Sequence, residues 1–242
     1  MLNKIKVSGK ILPNKTKKRN ESDQLLIYFS LLVVNPNNTE TLLRCHASGR
    51  TASEIEKEVE KEQLIEVRGY LRNERIKDGK KSRQIVVQVL GFNKLEKEEK
   101  TSDLTSNQVQ LLGEIITDLT SKEDTDGKPI LSFKLQTAEG NSLGSFFCKT
   151  KGELAVEISK CLKKKDIILV EGFLQTRKIV DAESIYSESV SWISLVFCNS
   201  FVLIDTAEAN VFHPLNEVVG KLALVSGEIE KIDFTKPKQE KN

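Results

Sequence analysis

Apolar and polar residues alternate from Leu64 to Leu71 (LIEVRGYL) and again from Ile167 to Leu174 (IILVEGFL), which is the two-residue period of a strand. The two stretches align at one spacing, 103 residues, with Gly69 on Gly172, Tyr70 on Phe173, Leu71 on Leu174 and Ile76 on Ile179. A repeat of that length is a domain and not a solenoid unit. The rest of each half follows the same order. Opening strands are predicted at Lys4–Leu12 and Gln108–Ile116, each with a mid-strand glycine (Gly9, Gly113) of the kind that marks a sharp bend. The polar stretches 14–24 and 118–128 are predicted as exposed loops. Second strands follow at 25–34 and 129–138, with Phe29 and Phe133 in register, and third strands at 41–49 and 144–152 carry Cys45 and Cys148 at matching places. Helical spacing then appears within 51–64, where Ile55 and Val59 are four apart, and within 153–165, where Leu154, Ile158, Cys161 and Leu162 form one stripe. After the 64–71 and 167–174 strands, a polar hairpin returns as QIVVQVL (84–90) and WISLVFCNSFVLI (192–204).

Five strands with one helix between the third and fourth is the order of an OB-fold, a small Greek-key barrel. The expected architecture is therefore all-β with short helices: two tandem OB-fold (five-stranded Greek-key) barrels. The first covers 1–98 and the second 107–205, with a linker at 99–106 and a tail at 206–242. In the tail, LALVSGEIE repeats the pattern of the opening strands and places Gly227 where their glycine stands. It reads as the orphan first strand of a third repeat, which either adds to a neighbouring subunit or packs on its own domain.

Charge separates halves that the fold makes alike. Residues 1–96 hold 19 Lys and Arg against 12 Asp and Glu, and residues 107–205 hold 11 against 14. The first repeat is basic and the second acidic, so they are not expected to share a partner of one charge.

VSGKI, HASGRTASEIEKEV and VRGYLRNERIKDGKK in the first repeat, with LLGEI and CKTKGELAVEISKCLKKKDIILVEGFLQTRK in the second, resemble the bacterial single-stranded DNA-binding protein family and its primosomal relative PriB. The resemblance implies single-stranded nucleic-acid binding without catalysis, DNA ahead of RNA, in replication, repair or recombination. It also implies a homo-oligomer, with two chains forming a dimer of four barrels. The candidate binding residues are the basic ones flanking the OB groove of the first repeat. Lys15, Lys17, Lys18 and Arg19 lie in one loop, Arg72, Arg75, Lys77, Lys80, Lys81 and Arg83 in and around the last hairpin, and Arg44 on the third strand. Such cations track phosphates and release counterions.

Tyr28 is the candidate stacking platform, because it and adjacent Phe29 must face opposite sides of their strand. At the places where the resembled family puts aromatics, this chain has Leu42, Ser48 and Ile76, and Ser145, Lys151 and Ile179. Tyr70 and Phe173 are expected in the core, as are Phe92 and Phe201 at the closing strands, while Tyr186 and Trp192 fall in or beside the longer second hairpin. The basic ending KIDFTKPKQEKN differs from the family's acidic tail, so a protein-partner surface is either absent or moved to the acidic second repeat. A scaffold subunit of a larger complex, or an RNA binder, remains an open alternative.

No cofactor or metal site is expected: the four cysteines lack CxxC spacing, and the two histidines are far apart. His46 beside Cys45 on a strand points the opposite way and makes no nucleophile–base pair. No apolar run is long enough to span a bilayer. Strand pattern from Lys4 leaves no space for a leader, so a bacterial cytoplasm or an organelle interior is the expected compartment.

Overall fold

A computed structural model describes residues 2–35, 39–75, 83–95, 106–139, 142–180 and 190–204, all within one compact unit. Two six-stranded halves follow each other in the chain. The first comprises β1 (Asn3–Ile11), β2 (Thr16–Arg19), β3 (Leu25–Val34), β4 (Glu40–Ser48), α1 (Gly49–Glu58), β5 (Leu64–Arg75) and β6 (Arg83–Lys94). The second repeats the order with β7 (Asn107–Ile115), β8 (Thr120–Glu123), β9 (Pro129–Glu139), β10 (Ser142–Lys151), α2 (Glu153–Cys161), β11 (Ile167–Val180) and β12 (Val190–Ile204). Strand neighbours run β2-β3-β4-β6-β5-β1 and, in mirror order, β7-β11-β12-β10-β9-β8. Additional β1–β3 and β7–β9 pairings close each half into an OB barrel.

Closure depends on the opening strands bending at their glycines. β1 pairs with β5 from Ile5 through Lys10, and just past Gly9 its other edge reaches β3, with Lys10 and Ile11 opposite Leu32 and Leu31. A Cβ at Gly9 would meet the Leu32 carbonyl oxygen at 2.7 Å, and one at Gly113 would meet the Gln136 oxygen at 2.0 Å. Only a residue without a side chain lets two main chains approach so closely.

Strand alternation fills each interior: Val7, Ile27, Leu31, Cys45, Val67 and Val87 in one barrel, and Leu111, Leu131, Phe133, Phe146, Cys148 and Val196 in the other, are fully buried or nearly so. Each helix covers its barrel through two buried residues, Ala52 and Ile55 in α1, Ala155 and Ile158 in α2. Phe92 and Phe201 pack partly buried against this core.

The structure corrects three expectations. Residues 14–24 and 118–128 are not loops throughout, because β2 and β8 inside them pair with β3 and β9. The helices stop at Glu58 and Cys161 rather than running to 64 and 165. In each repeat the chain must then reverse, using a left-handed residue (Glu62, φ 64°; Lys165, φ 81°) whose amide donates to the end of the opening strand, at Ile11 or Ile115. Helical periodicity continues in the sequence, but that turn ends the helix. Finally, Tyr70 is only half-buried, and adjacent Leu71 fills the interior; Phe173 is buried as expected (4% exposed), stacked on Phe197 beside the main core cluster.

The halves join through their opening strands. β1 and β7 pair antiparallel, with Ile5 opposite Val109 at the centre, and the bonds Ser8 N to Ser106 O and Leu112 N to Leu2 O extend the ladder symmetrically. Around this seam, Asn73 Nδ2 donates to Ser145 O (3.1 Å) and, 103 residues on, Thr176 Oγ1 donates to Leu42 O (3.1 Å). The chain is thus a pseudo-dimer built from one polypeptide. The linker beyond 95, the hairpin tips and the tail with its orphan strand lie outside the described residues.

Candidate nucleic-acid interface

Because Cys45 and Phe29 face inward, their strand neighbours face outward, and the ladder registers align those neighbours across the barrel. On the first barrel the outward row runs from Thr16 and Lys18 (β2) through Tyr28 and Ser30 (β3), Arg44 and His46 (β4) and Val86 and Gln88 (β6) to Tyr70, Arg72 and Glu74 (β5). Part of this surface forms a groove of about 570 Å³ lined by Asn14, Thr16, Lys18, Tyr28, Arg44 and Glu74, among others.

The structure sorts the candidate cations. Lys18 lies 5.6 Å from the Tyr28 ring centroid, a cation–π placement within the groove. Arg44 is exposed on the groove lining and makes no hydrogen bond or ion pair with a described residue. Arg72 bonds Glu74 Oε1 (3.1 Å) and contacts His46 Nδ1 (2.9 Å), so its guanidinium is held in one orientation. The other three turn away along β2 and its approach. Lys15 donates to the Val59 carbonyl at the end of α1, Lys17 pairs with Glu56 of the same helix, and Arg19 pairs with Asp23 at 3.0 Å. Burial, and then the charge of Lys17, lowers the Lys15 pKa. Arg75 and Arg83 stand opposite each other where β5 and β6 enter the hairpin. Their side chains, and Lys77, Lys80 and Lys81 entirely, lie outside the described residues, as do Tyr186, the Trp192 side chain and His213.

Tyr28 faces outward, as expected, but one neighbour is already stacked on it. His46, opposite it in the β3–β4 register, lies with ring centroids 4.5 Å apart and planes 14° apart. Burial, followed by the Arg72 charge, lowers the His46 pKa, opposed by the Gln88 hydrogen bond and by Glu74. The unfolded chain therefore takes up the His46 proton at a higher pH than the folded one. Stability is full above the unfolded value, about 6.5, and declines as pH falls through it toward the lower folded value. Melting temperatures at pH 7.5 and 5.5 should differ less in His46→Phe than in the wild type; an equal difference would assign the loss to other groups.

The same register on the second barrel sets out a different chemistry. Its outward row is Lys122 (β8), Ser132 and Lys134 (β9), Phe147 and Lys149 (β10), Leu195 and Phe197 (β12), then Phe173 and Gln175 (β11). Phe147 is 39% exposed and stands opposite Lys134. Phe197 is half-buried and stacks on Phe173 with centroids 5.2 Å apart. The acidic balance of this repeat does not describe this face, which presents lysines beside aromatic rings. Sequence reasoning passed over Phe147 and Phe197, although parity could have found them: with Cys148 and Cys198 matched to the core, the residue before each must point outward.

Residues 106–196, which include this face apart from Phe197, match the model of the single-strand binding protein family. Among solved structures, a deletion mutant of the single-stranded DNA binding protein from Thermus aquaticus superposes with a TM-score of 0.69 at 21% identity, covering 88% of this chain and 98% of that one. The wild-type protein from the same organism gives 0.67 at 20% identity, covering 84% and 93%. No curated protein sequence matches the chain. The likeness in structure is one of fold: a pair of OB barrels. Among the described residues, no helix is long and apolar enough to cross a membrane.

Proposed function

We propose that this chain is a non-enzymatic single-stranded DNA-binding protein of replication, repair or recombination, which holds a strand on the outward faces of both barrels. The observation that carries the reading is the pair of aligned rows, one with exposed cations around a groove, the other with exposed Phe147 and half-buried Phe197 among lysines. Those are the two ingredients of sequence-tolerant strand binding, phosphate tracking and base stacking. In the first barrel Lys18 and Arg44 meet phosphates in the groove, with Arg72 on the same face, and Lys15, Lys17, Arg19, Arg75, Lys77, Lys80, Lys81 and Arg83 contribute to the positive charge of this repeat. In the second, Phe147 and Phe197 stack bases.

The β1–β7 seam already supplies within one chain the pairing that separate subunits would otherwise make. We place 1–98 and 107–205 as the two barrels and two chains as the working assembly. Cys45, Cys148 and Cys198 are buried thiols, and burial pushes the Cys45 pKa up. Such thiols behave as small core residues and suit a reducing bacterial cytoplasm or organelle interior.

The test is fluorescence anisotropy of a labelled dT oligonucleotide across a salt series. Log K should fall linearly with log salt, and a Lys18→Ala/Arg44→Ala variant should lower the slope by about 1.4, since each single-strand phosphate contact contributes roughly 0.7. An affinity insensitive to salt, or no binding at low salt, refutes the assignment. A matched rU oligonucleotide binding as tightly as dT would move the function to RNA.

A further inference from the structure

One groove residue conflicts with simple phosphate tracking. Glu74 lines the same cavity as Lys18 and Arg44, and its side chain remains 35% exposed. Arg72 Nη2 donates to its Oε1 at 3.1 Å, which holds the carboxylate in place near Tyr28. The Tyr28 pKa is raised by burial and then by the Glu74 charge, as expected for a phenol held against a carboxylate. Across the ladder, Glu74 pairs with Gln84, which is buried and lines the groove, and Asn14, Thr16 and Ser30 add further amide and hydroxyl groups.

A fixed anion repels phosphate, so a strand crossing this groove must turn its backbone away from Glu74 and present something else. A carboxylate accepts N–H donors and offers about four lone-pair sites, of which Arg72 occupies one. The four bases differ in what they present to the rest. Guanine offers two adjacent donors, N1–H and N2–H, on its Watson–Crick edge. Cytosine and adenine offer one exocyclic amine beside an acceptor. Thymine offers a single N3–H between two carbonyl oxygens, which a carboxylate repels.

We propose that the first-barrel groove is a base-reading subsite that selects guanine, with Glu74 accepting the paired donors of its Watson–Crick edge. The groove volume of about 570 Å³ lies within the range of pockets that enclose a small ligand. The second barrel has Arg177 at the matching place, so the preference belongs to the first barrel alone. The inference rests on the strand-binding reading above and adds selectivity to it.

Three labelled oligonucleotides of equal length separate the two: all-dT, dT with dG at every third position, and the same strand with deoxyinosine for each dG. Inosine keeps N1–H and O6 but lacks the N2 amine. The dG strand should bind about tenfold tighter than dT, the scale of one good bidentate contact, and the inosine strand should fall between them. In Glu74→Gln the dG preference should shrink to within about twofold while dT affinity rises, because an anion has left the groove. A residue that only positioned Arg72 would lower affinity for all three strands together. Equal dG and dT affinities in the wild type, or a dG preference that survives in Glu74→Gln, overturns the guanine subsite and leaves strand binding standing. Failure of every strand to bind at low salt removes both.

Discussion

Changing Phe147 to Ala and Phe197 to Leu together should weaken binding of a dT oligonucleotide roughly 100-fold, since stacking contributes about 1–3 kcal/mol per base. Phe147 is the direct probe: its ring is exposed on β10, and its removal leaves no hole in the barrel, which Phe146 and Cys148 fill from the other side of the strand. Phe197 needs the gentler change because its ring also covers Phe173, and leucine preserves much of that contact. The diagnostic feature is the salt dependence. Removing stacking lowers affinity equally at every salt concentration and leaves the slope unchanged, whereas the Lys18/Arg44 variant alters the slope. A double variant that binds like wild type would confine the strand to the first barrel, and one whose slope flattened would mean that the lysines beside the rings had been displaced.

The second large effect is on stability, at Asn107→Ala. Asn107 begins β7 and is 3% exposed. Its amide extends the β7–β11 ladder past its last main-chain pair, Val109–Gly172: Nδ2 donates to Leu174 O (2.8 Å) and Oδ1 accepts from Leu174 N (3.0 Å), while Nδ2 also reaches Asn35 Oδ1 (2.7 Å) in the other barrel. Alanine leaves the Leu174 main chain without those bonds, at about 1–3 kcal/mol for each buried group left unsatisfied. The expected loss is about 3 kcal/mol, or roughly 6–12 °C in Tm for a chain of this size. Asn3 makes the equivalent pair of bonds to Leu71 and also donates to Ala138 O (2.7 Å), but it is only part-buried. Asn3→Ala should therefore cost less. Equal Tm values for Asn107→Ala and wild type would show that water replaces the amide, and that the seam does not depend on it.

Much of this architecture was legible in one dimension. Strands whose two faces differ must alternate, so the burial of Phe29, Cys45, Phe133 and Cys148 and the outward turn of Tyr28 followed from parity. The glycines at 9 and 113 marked the barrel corners because no side chain fits between main chains at that approach. Repetition at a fixed spacing disclosed two domains of one kind before any contact was known. The less legible features were those in which local pattern and chain path disagree. TKKR and TSKE are polar enough for loops, yet each joins a sheet edge as β2 or β8 with every residue exposed. Tyr70 looked like a core residue by composition, although it is only half-buried and its neighbour Leu71 took that place.

By itself the sequence determined the element order, the two-barrel plan, the faces of most strands and the positive charge of the first half, because periodicity, glycine placement and charge are local properties of the chain. Only the tertiary structure decided which cations share a groove. Lys15 and Lys17 are spent on a helix 39 to 44 residues away, while Lys18, Arg44 and Glu74 converge from three different strands. Only the fold, too, joined Asn107 to Leu174 and set Phe147 and Phe197 on one surface. Those juxtapositions depend on strand register and on how the barrels close, which are set by packing between residues far apart in the chain.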